Sequence, residues 1–439
     1  MLKFSDRQKT IFKTWLEEDE NILIGAVAGS GKTTTLMEIL RLSKYRTLFV
    51  AFNKSIQEEI TTKIEEKGLK QGLALTLHAL GLKAIRNHFK KFIVKNGKNF
   101  ELVKLLERLH PEIYRNTTWR NKMRLNYTIM EMNDISRLFL TDAPVEIQEH
   151  GASIGKSIYL DETIQLLWET FIDIRKESYE KSTVVIDFND MIYLPVIHNL
   201  YIPIKPTYLL IDECQDLNGM QHKLIDMLLK QGDIEKWIAV GDRKQSIYGF
   251  TGALTKSFDM FLEKEDVIEL PLDICYRCSK SIIDKANEVY PIMQYGKKED
   301  GIVGTITEAK EIKQKAMVVC RNTNPLIETY FRLIHYNKHA YLKGKDFLSG
   351  IKKFLSKHSK KHIYKMKEDL SIEHNNMSLK ENMSDADRIK LFVFKENYQN
   401  LILFLSHLKM DEYDYVSTLI EKVEHLFDFK NLIDPIILC

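Results

Sequence analysis

Short apolar runs alternate with stretches of helical periodicity along the first 80 residues, and again from residue 208 onward. Ile11, Phe12, Trp15 and Leu16 recur at helical spacing behind Phe4-Ser5-Asp6-Arg7-Gln8. The run at 21–24 reads as a buried strand, and Leu36, Met37, Ile39 and Leu40 mark a helix after it. Thr47–Ala51 and Leu73–Thr76 repeat the strand pattern, with a helix at 55–67 between them. Strands at 208–211 and 237–240 continue it. Apolar strands alternating with amphipathic helices predict an α/β fold with a parallel sheet buried on both faces. From 82 to 182 the pattern is mainly helical and polar, with basic clusters such as Lys90-Lys91 and Arg115 to Arg124. Charge runs of that kind are usually solvated faces, and this region reads as a helical insertion.

The chemistry lies at the ends of the strands. Between the first strand and its helix stands Ala26-Val27-Ala28-Gly29-Ser30-Gly31-Lys32-Thr33-Thr34. A glycine-rich turn in that position lets several N–H groups and the helix dipole face a phosphate. Lys32 can reach terminal phosphates, and the Thr33 hydroxyl can ligate Mg²⁺. Ala26 stands where the usual pattern has its first glycine. The strand Tyr208–Ile211 ends in Asp212-Glu213-Cys214-Gln215-Asp216. There Asp212 can hold a metal ion through water, and Glu213 can polarise an attacking water. Trp237–Val240 runs into Gly241-Asp242-Arg243-Lys244-Gln245-Ser246-Ile247-Tyr248-Gly249-Phe250, where Gln245 is suited to reading a γ-phosphate.

Other residues have two readings. Gln8 is either an exposed helix residue, the commoner case, or an amide that pairs with an adenine edge. Phe52, Asn53 and Lys54 follow a strand, where an aromatic beside a cation could stack a base and touch a phosphate. His78, in Thr76-Leu77-His78, is of a type more often structural than functional. Tyr248 and Phe250 could form a stacking platform or belong to the core.

Composition narrows the class. The 439 residues are 44% hydrophobic and 28% charged, as in soluble proteins of two to four domains. No apolar run approaches the ~18 residues of a membrane span, and Met1–Asp6 lacks a signal-peptide core. A net charge of +3 confines any nucleic-acid surface to a local groove. Five cysteines make no disulfide framework, and Cys275-x-x-Cys278 has no second Cys/His pair at metal spacing. A reducing, cytoplasmic setting fits.

Taken in order, these strings resemble the superfamily 1 DNA helicases of the UvrD/Rep/PcrA type. The resemblance rests on Gln8, Ala26–Thr34, Phe52-Asn53-Lys54, Thr76-Leu77-His78, Asp187-Phe188-Asn189-Asp190, Asp212–Asp216, Gly241–Gly252 and Tyr276-Arg277. It implies two RecA-like P-loop motor domains, the second incomplete, with helical insertions. The first motor domain is expected at 1–81 and 183–266, split by the insertion at 82–182. The second is expected at 267–350, with strands at 301–306 and 316–320. A second insertion covers 351–430, and a return strand covers 431–439. Gly344-Lys345-Asp346-Phe347 resembles the family's exit into that insertion, whose basic cluster Lys352–Lys367 reads as a solvated face before a duplex-binding patch.

By the same resemblance, Gln8 reads adenine and Tyr276 stacks on it. Ala28, Gly29, Ser30, Gly31, Lys32, Thr33 and Thr34 hold the phosphates, with Lys32, Gln245 and Arg277 around the β/γ groups. Thr33 and Asp212 hold Mg²⁺, and Glu213 is the catalytic base. Phe52, Asn53, Thr76, His78, Tyr248 and Phe250 line single-stranded DNA. The implied activity is an ATP-dependent helicase moving 3′ to 5′, with ATP and Mg²⁺ as cofactors and single strands and single/double-strand junctions as partners. The sequence ends at Ile436-Ile437-Leu438-Cys439, before any counterpart of the family's fifth and sixth motifs. This predicts the N-terminal part of a split or truncated enzyme, with an apolar edge at 436–438 where a second polypeptide adds a strand. An ATP-gated DNA-binding module without unwinding and a P-loop ATPase unrelated to DNA are the competing classes.

Overall fold

The computed structural model describes residues 3–115, 117–246, 254, 256–296, 299–320, 323–342, 355–356, 358–378, 401, 405, 414–426 and 436–438. By contacts the chain divides into two units, Met1–Val303 and Gly304–Cys439. The first unit opens with α1 (Asp6–Glu17), β1 (Asn21–Ala26), α2 (Lys32–Leu42), β2 (Thr47–Ala51), α3 (Lys54–Glu66), β3 (Gly72–Thr76) and α4 (Leu77–His88). Next come β4 (Phe92–Val94), α5 (Lys98–Leu109), α6 (Pro111–Arg115), α7 (Trp119–Phe139), α8 (Pro144–Ser153), α9 (Glu162–Glu180) and β5 (Val184–Ile186). Then follow α10 (Asp190–Ile197), β6 (Tyr208–Ile211), α11 (Gly219–Lys230), β7 (Lys236–Gly241), β8 (Val267–Leu272), β9 (Ile274–Cys275), α12 (Lys280–Asn287) and β10 (Gln294–Tyr295).

Six strands form one sheet of order β3-β2-β6-β7-β1-β8, and every pairing in it is parallel. The period of two along each strand sorts the side chains onto two cores. Ile22, Ile24, Phe49, Leu210, Ile238 and Val240 pack against α1, α2 and α3 on one face. Leu23, Leu48, Val50, Leu209, Ile211 and Ala239 pack against α4, α10 and α11 on the other. A fully parallel sheet brings the carboxyl ends of its strands to one edge, where ligands of open α/β sheets bind. The mixed α/β class with a parallel central sheet is therefore the observed one.

The helices α5 to α9 carry a core of their own, which includes Leu106, Ile129, Met132, Ile135, Leu167, Trp168 and Phe171. The expected start of this insertion at residue 82 falls inside α4, whose Leu80, Ala84 and Ile85 belong to the sheet's core. Helix α4 is pressed onto α10 at Gly81, where an added Cβ would lie 1.8 Å from the Met191 carbonyl oxygen. No rotamer relieves a clash with backbone, so Gly81→Ala is expected to destabilise the fold by about 1–3 kcal/mol. Urea unfolding checks this, and an unchanged midpoint would deny the close approach.

Several expectations change here. Residue 267 does not open a second sheet. β8 pairs with β1 in register from Asn21↔Val267 to Ala26↔Leu272, filling the free edge of β1. The segment 301–306 is not a strand, and Ile302 stands 96% exposed. Two short parallel pairs, β4 with β5 and β9 with β10, were not legible in the pattern.

The second unit contains β11 (Met317–Val318), α13 (Thr323–His335), β12 (Ala340–Leu342), α14 (Ile363–Ser378), α15 (Val416–Leu426) and β13 (Ile436–Leu438). Its parallel sheet has the order β11-β13-β12. β13 is thus the central strand, bonded on both sides, with Ile436 and Leu438 fully buried. The expected apolar edge at 436–438 does not exist, and strand addition there is sterically closed. Gly344–Phe347, Lys352–Phe354 and most of 351–430 lie outside the described residues. Among the described residues, no helix is long and apolar enough to cross a membrane.

Candidate functional site

The turn after β1 is built for close approach. Gly29 and Gly31 have φ of 69° and 87°, in the left-handed region that favours glycine. A Cβ on Gly29 would also meet the Arg277 Cβ at 2.6 Å. The Ser30 hydroxyl is buried and donates to the Val27 carbonyl at 2.8 Å, bracing the loop from inside. Gly31 caps α2, so the free N–H groups of that helix's first turn face the loop's mouth. Ala28 is half-buried and Thr34 is exposed at this mouth.

Lys32 and Glu213 meet across the sheet, with Nζ 2.7 Å from Oε2. The Thr33 hydroxyl lies 3.5 Å from an Asp212 carboxylate oxygen, the outer limit of a hydrogen bond. Burial first, and the neighbouring Glu213 second, push the Asp212 carboxyl up to about 6. The same two causes raise Asp216 to about 6. One of the Asp216 oxygens is buried without a hydrogen-bond partner among the described residues. A buried carboxylate crowded by another, beside a hydroxyl, is a hard-oxygen donor set that suits Mg²⁺. Glu213 has φ 52° and ψ 44°, a conformation that costs a non-glycine residue about 1–3 kcal/mol and recurs at functional sites.

Gln215 is the residue that composition and spacing gave no reason to single out. Its amide donates to Glu213 at 2.9 Å and to Asp216 at 3.0 Å, while its oxygen accepts from the Asp242 N–H at 3.0 Å. Asp242 in turn accepts from the exposed Gln245 side chain at 2.8 Å. One chain of hydrogen bonds therefore links Lys32, Glu213, Gln215, Asp242 and Gln245, joining the ends of β6 and β7. The only sequence signal for Gln215 and Asp242 was their place inside the strings that follow the strands 208–211 and 237–240.

Gln8 is not an exposed helix residue. It is 5% exposed and forms a capping box with Ser5, and its amide donates to the Thr35 hydroxyl at 3.0 Å. Its amide nitrogen retains one N–H, while its oxygen already accepts from the Ser5 N–H at 3.0 Å and the Ser5 hydroxyl at 3.5 Å. Arg7 pairs with Asp273 through two contacts of 3.2 Å, which ties α1 to the turn after β8. That turn brings Tyr276 over the loop, its N–H bonded to the Gly29 carbonyl at 2.9 Å. Tyr276 and Arg277 are exposed there, above Cys275, which is buried against Val27.

Asn53 and Thr76 serve as helix caps. Asn53 accepts from Ile56 N–H at 2.9 Å and Thr76 from Ala79 N–H at 3.2 Å. Phe52 is half-buried at the end of β2. His78 stacks on Phe188 with ring centroids 3.7 Å apart, and burial lowers its pKa to about 4, so the imidazole is neutral at pH 7. Phe188 is 57% exposed and was not singled out from the sequence as a site residue. Tyr248 and Phe250 lie outside the described residues.

The family model for the UvrD/REP helicase N-terminal domain matches residues 5–266. The chain belongs to the UvrD/REP helicase family. It is 26% identical over 369 residues to "ATP-dependent DNA helicase Rep" of Buchnera aphidicola subsp. Schizaphis graminum, covering 74% of this chain and 52% of that protein. It is 26% identical over 295 residues to "DNA helicase II" of Escherichia coli K12, covering 61% of this chain and 38% of that one. With the Escherichia coli "ATP-dependent DNA helicase Rep" it shares 26% over 286 residues, 60% of this chain and 40% of the relative. The chain thus spans about half the length, or less, of these UvrD/REP relatives. The matched region takes in the loop, the acidic pair and the His78–Phe188 stack; Tyr276 and Arg277 lie just beyond it.

Proposed function

We propose that this chain is an ATP-driven motor that moves along single-stranded DNA, 3′ to 5′, and separates duplex ahead of it. The observation that carries this reading is a glycine-rich loop and an acidic strand end joined by the Lys32–Glu213 pair, on the same sheet edge as the half-buried Phe52 and as His78, on which the exposed Phe188 stacks. In this reading the main-chain N–H groups from Ala28 to Thr34 hold the phosphates. Gln8 and Tyr276 flank the adenine. Lys32 and Arg277 meet the terminal phosphates as cations, and Gln245 reads the γ-phosphate as a neutral amide. Mg²⁺ would be held by Thr33 and Asp212, and when bound it offsets the phosphate charge. Glu213 takes the proton of the attacking water.

Single-stranded DNA lies along Phe52, His78, Tyr248 and Phe250, with Phe188 as an added face. Asn53 and Thr76 shape that surface by capping α3 and α4. Stacking on such faces is tolerant of sequence because every base has a π-face. The test is ATP turnover and strand separation by the purified chain with and without single-stranded DNA. Strong stimulation together with unwinding supports the motor. Stimulation without unwinding supports an ATP-gated DNA-binding module, and turnover indifferent to DNA overturns both. Phe52→Ala is expected to weaken binding to a dT oligonucleotide by about 1–3 kcal/mol, with Mg-ATP affinity unchanged. Unaltered DNA binding by the folded variant would return Phe52 to the core.

A further inference from the structure

Between the insertion and the sheet lies a buried ionic cluster that the proposed chemistry does not use. Arg137, on α7, is 1% exposed. Its Nη1 lies 2.8 Å from both Asp187 oxygens and 3.0 Å from Asp190, its Nη2 lies 2.7 Å from Asp134, and its Nε donates to the Asn133 carbonyl at 3.4 Å. Lys98 of α5 reaches Asp190 at 2.7 Å, and Tyr179 of α9 donates to it at 2.7 Å. Three of the insertion's helices, α5, α7 and α9, thus converge on Asp190, and α7 also holds Asp187.

Stability alone does not call for this arrangement. A well-packed apolar set of the same volume does as well or better than a buried ion cluster. What apolar side chains cannot do is fix a turn by directional bonds. Asp187 and Asp190 close a turn on each other: the Asp187 N–H donates to Asp190 at 3.0 Å, and the Asp190 N–H donates to Asp187 at 2.9 Å. Within that turn stands Phe188, exposed and stacked on His78. A single guanidinium nitrogen, Nη1, holds both carboxylates that define the turn, while Nη2 anchors the group to Asp134; through that turn Arg137 fixes the direction in which Phe188 leaves it.

We propose that Arg137 is a positioning residue: it sets the Asp187–Asp190 turn so that Phe188 stands over His78 as a surface for a nucleic-acid base. The proposal rests on the DNA-stacking reading given above. It makes the helical insertion a part of the DNA site without itself touching DNA.

The full chain serves for the test. Affinity for a fluorescein-labelled dT oligonucleotide is measured for the parent, Arg137→Met, Phe188→Ala and the double variant, with Mg-ATP affinity as the control. Phe188→Ala is expected to weaken DNA binding about 5- to 150-fold, the range of one stacked base. Arg137→Met should give a comparable loss, the double variant should be no weaker than Phe188→Ala alone, and nucleotide affinity should hold. DNA binding by Arg137→Met equal to the parent, or losses that multiply in the double variant, would overturn the proposal. If Arg137→Met does not fold, Arg137→Met combined with Asp187→Asn removes both charges together and is expected to show the same loss; parent-like binding by that pair also overturns it.

A second readout is independent of DNA. The emission maximum of a Phe188→Trp variant, set by how far the indole is exposed, should shift when Arg137→Met is added. If Phe188→Ala leaves DNA binding unchanged, the stacking reading fails, and the fluorescence still decides the positioning role. A shift upholds that role and an unchanged emission overturns it.

Discussion

Glu213→Gln is expected to lower single-strand-stimulated ATP turnover by about 10²-fold or more, the scale of a general base, while Mg-ATP affinity changes little. The substitution keeps the shape of the side chain and leaves an oxygen for Lys32 Nζ, now 2.7 Å away. It removes only the capacity to take a proton. Turnover is measured by phosphate release and affinity by competition with a labelled nucleotide. Equal turnover would move the base elsewhere. Asp216 is the next carboxylate, joined to Glu213 through the Gln215 amide at 2.9 and 3.0 Å.

Lys32→Ala has the other large expected effect. A hydrogen bond to a charged group contributes about 1.5–3 kcal/mol, so the loss of triphosphate affinity should be roughly 10- to 150-fold. Lys32 is 12% exposed and Glu213 27%, so their charges are screened less than those of a surface pair. Removing the lysine also leaves Glu213 beside the buried Asp212 with no cation between them. The cost therefore falls on the triphosphate, whose charge the site must meet, far more than on adenosine. Comparing Mg-ATP with adenosine separates the two. An undiminished Mg-ATP affinity in the variant would deny the loop its assigned task.

The glycine-rich turn, the acidic pair and the parallel sheet were legible in the sequence because each is a local pattern. A strand, a glycine turn and a helix start need only neighbouring residues, and burial on both faces writes strands such as Leu48–Val50 as continuous apolar runs. The same locality explains the errors. Residue 267 was expected to open a second domain, but nothing local says which sheet a segment joins; the free edge of β1 took up 267–272. Likewise Ile436–Leu438 reads as a strand from its composition alone, while its place between β11 and β12 comes from pairing with distant residues.

For the site, the sequence by itself determined which residue types are present and at which strand ends: Lys32, Thr33, Asp212, Glu213 and Gln245. Only the tertiary structure decided what joins them. Gln215 bridges Glu213 and Asp242 because β6 and β7 are neighbours, although Gln215 and Asp242 are 27 residues apart in the chain. Gln8 lies against the phosphate loop because α1 packs on α2, and its capping box, not solvent, occupies its amide. Arg137 stood in a stretch that reads as polar helix, and its charge gave no sign of burial. Its meaning comes from two aspartates 50 and 53 residues away, brought to it by the packing of α7 on the core. A periodic pattern records which face of an element is buried; it carries no record of the partner, since apolar contact is non-directional and the directional bonds form only once the chain has closed.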